Sequence, residues 1–264
     1  MNMAIITLLT DFGLKDGFVG IMKGVIWNIA PSAQIADITH EIGPQNVIEG
    51  SLVLAQAVKY FPAGTVHVAV VDPGVGTTRK PVAARIGSQF FVGPDNGLFT
   101  GVIEAAEQEG AAIEFYHLTN PGYWLPQVSR SFHGRDIFSP VGAHLSNGVS
   151  LAELGMPIAD PARIMVPRPE PTADGFAGQV LSVDHFGNLL TNITPEQLKG
   201  REGVVIKVGE ASIEGLSLTF GERKPGELVA MIDSSGVLQI AVVNGNAADQ
   251  LKVGIGTSIL LRFF

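Results

Sequence analysis

The stretch "VPRPEPTADG", residues 166–175, constrains this chain more than any other. Three prolines within five residues, followed closely by Gly175, continue neither a helix nor a central strand, so the segment predicts a linker. The rhythm of the sequence changes across it. Before it, "AIITLL" (4–9), "AQIADI" (33–38) and "TVHVAVV" (65–71) read as strands. Between the first two, Phe18, Ile21, Met22, Val25, Ile26 and Ile29 fall on one face of a helix closed by Pro31. Between the second and third, "NVIEGSLVLAQAVKYF" (46–61) is again helical and ends at Pro62 and Gly64. After the break come closely spaced β-like runs: "AGQVLSVD", "GVVIKVG", "LSLTF", "LVAMID", "VLQIAVV" and "TSILLRFF". The expected fold is therefore α/β. A mainly parallel α/β sandwich domain (1–165) and a Pro-rich linker (166–175) precede a smaller antiparallel β-barrel-like domain (176–264).

Hydrophobic residues make up 46% of the 264 and charged residues 16%, which is enough apolar surface for a substantial core in each domain. The net charge of −8 argues against a general nucleic-acid partner. With no cysteine, the chain has no disulfide, no Cys-ligated zinc and no thiol catalysis. Its first apolar run is too short for a signal core or a membrane span, so a soluble cytoplasmic protein with no membrane partner is expected.

In an open parallel sheet, ligands collect outside the carboxyl ends of the strands. Asp11 follows the first strand and Asp72 the third, so parallel neighbours would carry both carboxylates to one rim. Asp11 and Asp16 also read as turn and N-cap residues. "VVDPGVGTTRKPV" (70–82) has the glycines of a phosphate loop but not its chemistry. No Lys-Ser/Thr pair follows the second glycine, Lys80 is followed by Pro81, and the next run looks like a strand rather than a helix. What remains is a tight return with Asp72 and Arg79 near its two ends, either as a surface ion pair or as part of a site. In "SRSFHGRDIFSP" (129–140), Ser139-Pro140 or Asp136 signals a helix start, leaving His133 in the loop ahead of it. The other five histidines read as structural. His40, Glu41, Asp37 and His133 form a conceivable metal set, but no ligand spacing supports one, and no metal is expected. Farther on, "LSVDHFGNLLTNI" (181–193) reads as strand, turn and strand. Its turn presents Asp184, Phe186 and Asn188, an aromatic face beside a carboxylate and an amide, suited to a flat heteroaromatic ring near an ammonium group.

Taken in order, "LLTDFGLKDGFVG", "VVDPGVGTTR", "SFHGRDIF", "VDHFGNLLTNI" and "NGNAADQL" resemble the S-adenosyl-L-methionine (SAM) hydrolases, or SAM hydroxide adenosyltransferases, relatives of the fluorinases and chlorinases. The resemblance implies a trimer in which SAM sits between the N-terminal domain of one subunit and the C-terminal domain of the next. The implied reaction is SAM plus water giving adenosine and L-methionine, with no cofactor. It assigns Asp72, Arg79 and His133 to the handling of water and Asp11 to the ribose hydroxyls. Phe186 and Asn188 go to adenine, Asp184 to the methionine ammonium group, and Ser234 and Val242 to further substrate contacts. The halogenating relatives are similar but carry tyrosine at the positions of Asp72 and His133, and the fluorinase carries serine at that of Gly134. A carboxylate at 72 repels a halide and accepts a hydrogen bond from water, which favours hydrolysis. Ser235 stands where the fluorinase has an arginine for the methionine carboxylate. The leaving thioether needs no general acid, and Arg79 cannot act as a base, so the proton of the attacking water goes to Asp72 or His133. A SAM- or adenosine-binding sensor without turnover, a halogenase and a purely structural subunit are the alternatives.

Overall fold

The computed structural model describes residues 4–201 and 203–264. The chain divides into two compact units, one ending at Ile164 and one starting at Met165.

The first unit is built on seven strands: β1 (Ile5–Thr10), β2 (Gln34–Thr39), β3 (Val66–Val70), β4 (Pro81–Ile86), β5 (Gln89–Pro94), β6 (Ile113–Leu118) and β7 (Gly155–Ile158), in the spatial order β2-β1-β3-β5-β4-β6-β7. The first four strands of that order run parallel, as the β-α-β-α-β pattern predicts. From β5 onward the pairings are antiparallel. Alternation along β3 explains the layering. Val66, Val68 and Val70 enter one core with Met22 and Ile26 of α1 (Phe18–Ile29), while Ala69 and Val71 enter another with Leu54 of α2 (Val47–Val58) and Ile103 of α3 (Thr100–Glu109). A fourth helix, α4 (Ser139–Ser146), joins α1 on the first face. Helices on both faces of one sheet make an α/β sandwich.

The second unit is antiparallel throughout. Its strands are β8 (Glu170–Pro171), β9 (Gly175–Val183), β10 (Leu189–Thr191), β11 (Val204–Val208), β12 (Ala211–Glu214), β13 (Leu228–Ile232), β14 (Leu238–Val242) and β15 (Ser258–Phe263). Seven follow the order β12-β11-β15-β9-β10-β14-β13, and the two outer strands approach each other, so the sheet nearly closes into a barrel around Val180, Leu189, Ile206, Ile240 and Ile259. Glu170 and Pro171 pair with Ala177 and Phe176 at an edge, where a proline costs no ladder bond. One expected strand is not there. "LSLTF" is irregular and leads into a 3₁₀ turn at Phe220–Glu222: Leu218 is exposed while Ser217 is buried, and the Leu218 amide is taken by the Glu222 carboxylate instead of a neighbouring strand.

Candidate active site

Because β1 and β3 are parallel neighbours, Asp11 and Asp72 leave the sheet on the same rim. The loop after β3 doubles back and enters β4 without opening a helix. At its ends Arg79 grips Asp72 with both arms of a fork: Nε donates to Oδ1 at 3.0 Å and Nη2 to Oδ2. This is no surface ion pair, since the two side chains are only 7% and 5% exposed. The same Nη2 lies 3.1 Å from His133 Nδ1, and the guanidinium rests on the Phe138 ring. Arg79 Nη1 is buried with no partner among the described residues. A buried guanidinium N–H left unspent is costly, so this donor marks where a further acceptor belongs.

His133 reaches Arg79 because the helix begins earlier than Ser139-Pro140 suggests. A π-helical turn spans Gly134–Phe138, closed by the Ser139 amide donating to the Gly134 carbonyl, and it runs straight into α4. Pro140 lacks the amide that would serve the Asp136 carbonyl, and the Leu125 amide takes that role at 2.9 Å. Asp136 is not a cap either. Its buried carboxylate accepts from the Ser129 amide (2.8 Å) and hydroxyl (2.7 Å) and from Arg135 Nε (2.6 Å), fixing the loop ahead of His133. Those bonds hold its carboxyl below the ordinary carboxylate range despite burial. Burial, and next the charge of Arg79, push the His133 pKa below the usual histidine value. The charges of Asp72 and Asp136 and a backbone hydrogen bond at Ser129 pull the other way.

Gly76 ties the two loops together. It sits at φ +74°, and a Cβ there would lie 2.2 Å from the Arg130 carbonyl oxygen. Asn96 braces Asp72 from behind by donating to the Val71 carbonyl at 2.8 Å. Phe12 and Phe132 meet edge-on at 5.8 Å, joining the loop of Asp11 to that of His133. Sequence reasoning missed Asn96 and the approach of Gly76 to Arg130, whose partners are backbone groups, and it read Asp136 as a possible cap rather than as the anchor of Ser129 and Arg135.

Asp11 does not cap α1. Its Oδ2 accepts from the Gln45 amide at 2.8 Å, just ahead of α2, while α1 starts at Phe18 behind Gly17, which offers no side-chain cap, and Asp16 is exposed. The conceivable metal set does not converge. His40 bonds Thr10 and lies by Asp37, Asp37 also pairs with Lys23, and His133 belongs with Arg79. Among the described residues no three His, Asp or Glu are placed to share an ion.

In the second unit, Asp184 Oδ1 accepts from the amides of Phe186 (2.9 Å) and Asn188 (2.8 Å), and Oδ2 accepts from Asn188 Nδ2 (2.8 Å). These bonds build the turn between β9 and β10 and leave Phe186 71% exposed. Ser234 is exposed in the β13–β14 turn. The Ser235 hydroxyl is turned onto Asp233. The Val242 side chain is buried in the barrel core, which leaves only its backbone for a ligand.

The chain is similar to proteins of known family. Sequence models of the SAM hydroxide adenosyltransferase N-terminal and C-terminal domains match residues 6–155 and 178–260. The (R)-S-adenosyl-L-methionine hydrolase of Salinispora arenicola is 42% identical over 256 residues, 96% of each chain. A fluorinase of Nocardia brasiliensis is 30% identical over 97% of this chain and 96% of its own. A crystal structure of a conserved protein from Thermotoga maritima superposes with a TM-score of 0.88 at 40% identity, covering 97% of this chain and 99% of that one. Both family domains are thus matched in order along one chain, and the likeness runs nearly end to end: the chain belongs to the SAM hydroxide adenosyltransferase family.

Proposed function

We propose that the chain hydrolyses SAM to adenosine and L-methionine. Water attacks C5′, the C5′–S electron pair returns to sulfur, and the sulfonium leaves as a neutral thioether. The observation that carries this reading is Arg79, held between Asp72 and His133 with both Nη1 hydrogens unspent in a buried site among the described residues. Nη1 suits the oxygen of the attacking water, which it would fix without removing its proton.

The geometry favours Asp72 over His133 as the proton acceptor. His133 Nδ1 faces an Arg79 donor, so its lone pair is already engaged, and protonating it would place N–H against N–H. Burial and the Arg79 charge resist a second positive charge there. Each Asp72 oxygen spends one lone pair on Arg79 and keeps another. The carboxylate also disfavours a halide in place of water, which separates this reading from the fluorinase one.

In this proposal Asp11 takes the ribose hydroxyls and Phe186 stacks on adenine. Asn188 keeps its Oδ1 and one Nδ2 proton for the base edge. Asp184 has one lone pair on Oδ2 left for the methionine ammonium group, and Ser234 and the Val242 backbone supply further contacts. Water is the nucleophile and no cofactor or metal takes part. A homotrimer with its sites at subunit interfaces, working in the cytoplasm, completes the reading. No helix among the described residues is long and apolar enough to cross a membrane.

The test is incubation with SAM and chromatography of adenosine and methionine, with chloride and fluoride in parallel. Both products should form in equal amounts, with no halogenated nucleoside. Asp72→Ala should abolish adenosine formation while SAM binding persists. Near wild-type turnover in that variant overturns the assignment. Stoichiometric SAM binding without products by the unmodified chain would make it a sensor.

A further inference from the structure

The strand that follows α1 ends in a segment, "THEIGPQN" (39–46), that holds the loop of Asp11 at three points. Thr10 Oγ1 meets His40 Nδ1 at 2.9 Å, the Gly13 amide donates to the His40 carbonyl at 2.8 Å, and the Gln45 amide donates to Asp11 Oδ2 at 2.8 Å. Gln45 makes its bond from the left-handed region, φ 64°, a conformation that costs a non-glycine residue free energy. Thr10 and His40 are buried, at 0% and 3% exposure, so their bond does not compete with water.

The proton positions in this cluster follow from elementary valence. Thr10 Oγ1 accepts the Phe12 amide at 3.2 Å, and its own hydrogen has His40 Nδ1 as its acceptor among the described contacts. The ring proton of a neutral His40 then sits on Nε2, which lies 3.1 Å from Asp37 Oδ1 without the alignment of a hydrogen bond. Lys23 Nζ holds the other Asp37 oxygen at 2.6 Å. A chain of contacts thus runs from Lys23 through Asp37, His40 and Thr10 to the amide of Phe12, the residue after Asp11.

We infer that Thr10 and His40 are positioning residues for Asp11: they set the orientation in which its carboxylate meets the sugar of the substrate. This rests on the proposed SAM reaction and on the ribose role of Asp11. Neither residue touches the reacting atoms. Their contribution is to hold the rim loop in place, so that the Asp11 carboxylate, steadied through Oδ2 on the Gln45 amide, keeps its remaining lone pairs for the sugar.

The experiment measures kcat and KM for SAM and for its 2′-deoxyribose analogue in the full chain and three variants. Asp11→Asn should reduce the preference for SAM over the 2′-deoxy analogue, expressed as a ratio of kcat/KM values. Thr10→Val, nearly isosteric but without the hydroxyl, should lower the same ratio by about tenfold, mostly through KM. Thr10→Ser should restore the wild-type ratio, since it returns the hydroxyl. An unchanged ratio in Thr10→Val, with Asp11→Asn reduced, overturns the inference alone. An unchanged ratio in Asp11→Asn overturns the ribose role and the inference with it. A fall in kcat for Thr10→Val that is equal for both substrates would show a general structural role and likewise overturn it.

Discussion

Gly76 shows how a residue with no chemistry of its own enters a reaction. Its left-handed φ and the 2.2 Å that a Cβ would leave to the Arg130 carbonyl mean that any side chain parts the Arg79 loop from the His133 loop. Gly76→Ala is expected to cost about 1–3 kcal/mol of stability and roughly 100-fold in kcat, read by thermal melts and steady-state kinetics. A variant that melts early but turns over normally would separate the packing from the catalysis. The grouping of Asp72, Arg79 and His133 was legible through the resemblance of their short motifs, whereas residue types alone left Asp72–Arg79 open and His133 in a loop. The Gly76–Arg130 approach was not legible. It joins two backbones far apart in sequence, and the only trace it leaves is a glycine among other loop glycines.

At the scale of elements, the parallel half of the first sheet was readable because buried strands and amphipathic helices alternate with clear period. Ser139-Pro140 does open α4, as its chemistry suggests, but the helical turn ahead of it was not foreseen, for a physical reason. Ser139-Pro140 has the chemistry of a helix beginning, but a π turn ahead of it and the Leu125 amide behind Asp136 let the helix run through the proline. That turn depends on one buried carboxylate. Asp136→Asn halves the acceptors offered to Ser129 and Arg135, and about 2 kcal/mol of stability should go with it. Because the loop leads into His133, kcat should fall alongside, and chemical denaturation with parallel kinetics would show both. Unaltered kcat at reduced stability would mean that the turn holds the fold without holding the histidine. "LSLTF" failed as a strand for the opposite reason, since its apolar alternation faces outward and marks no buried surface.

The whole molecule carries a prediction about pH. His67 is buried in the first unit, bonded to Thr7 Oγ1 at 2.7 Å and stacked on Phe91, and burial lowers its pKa from 6.5 to about 4. The unfolded chain takes up this proton below pH 6.5 while the native ring refuses it until about pH 4, so stability is lost as pH falls through that window. The loss attributable to His67 is about 3 kcal/mol, measurable by urea unfolding at a series of pH values. His67→Gln should flatten the slope, and an identical slope in that variant would rule His67 out as its source. The parallel pairing of β1 and β3 has a different consequence. Asp11 and Asp72 stand on the same rim but issue from separate strands, each braced by its own loop partners: Gln45 for the first, Arg79 and Asn96 for the second. The loop of Asp72, to which the proposal assigns the nucleophile, can therefore be rewritten while the bracing of Asp11 by Gln45 stays in place. A scaffold divided in this way can exchange water for an anion by local substitution, keeping its substrate while it changes its product.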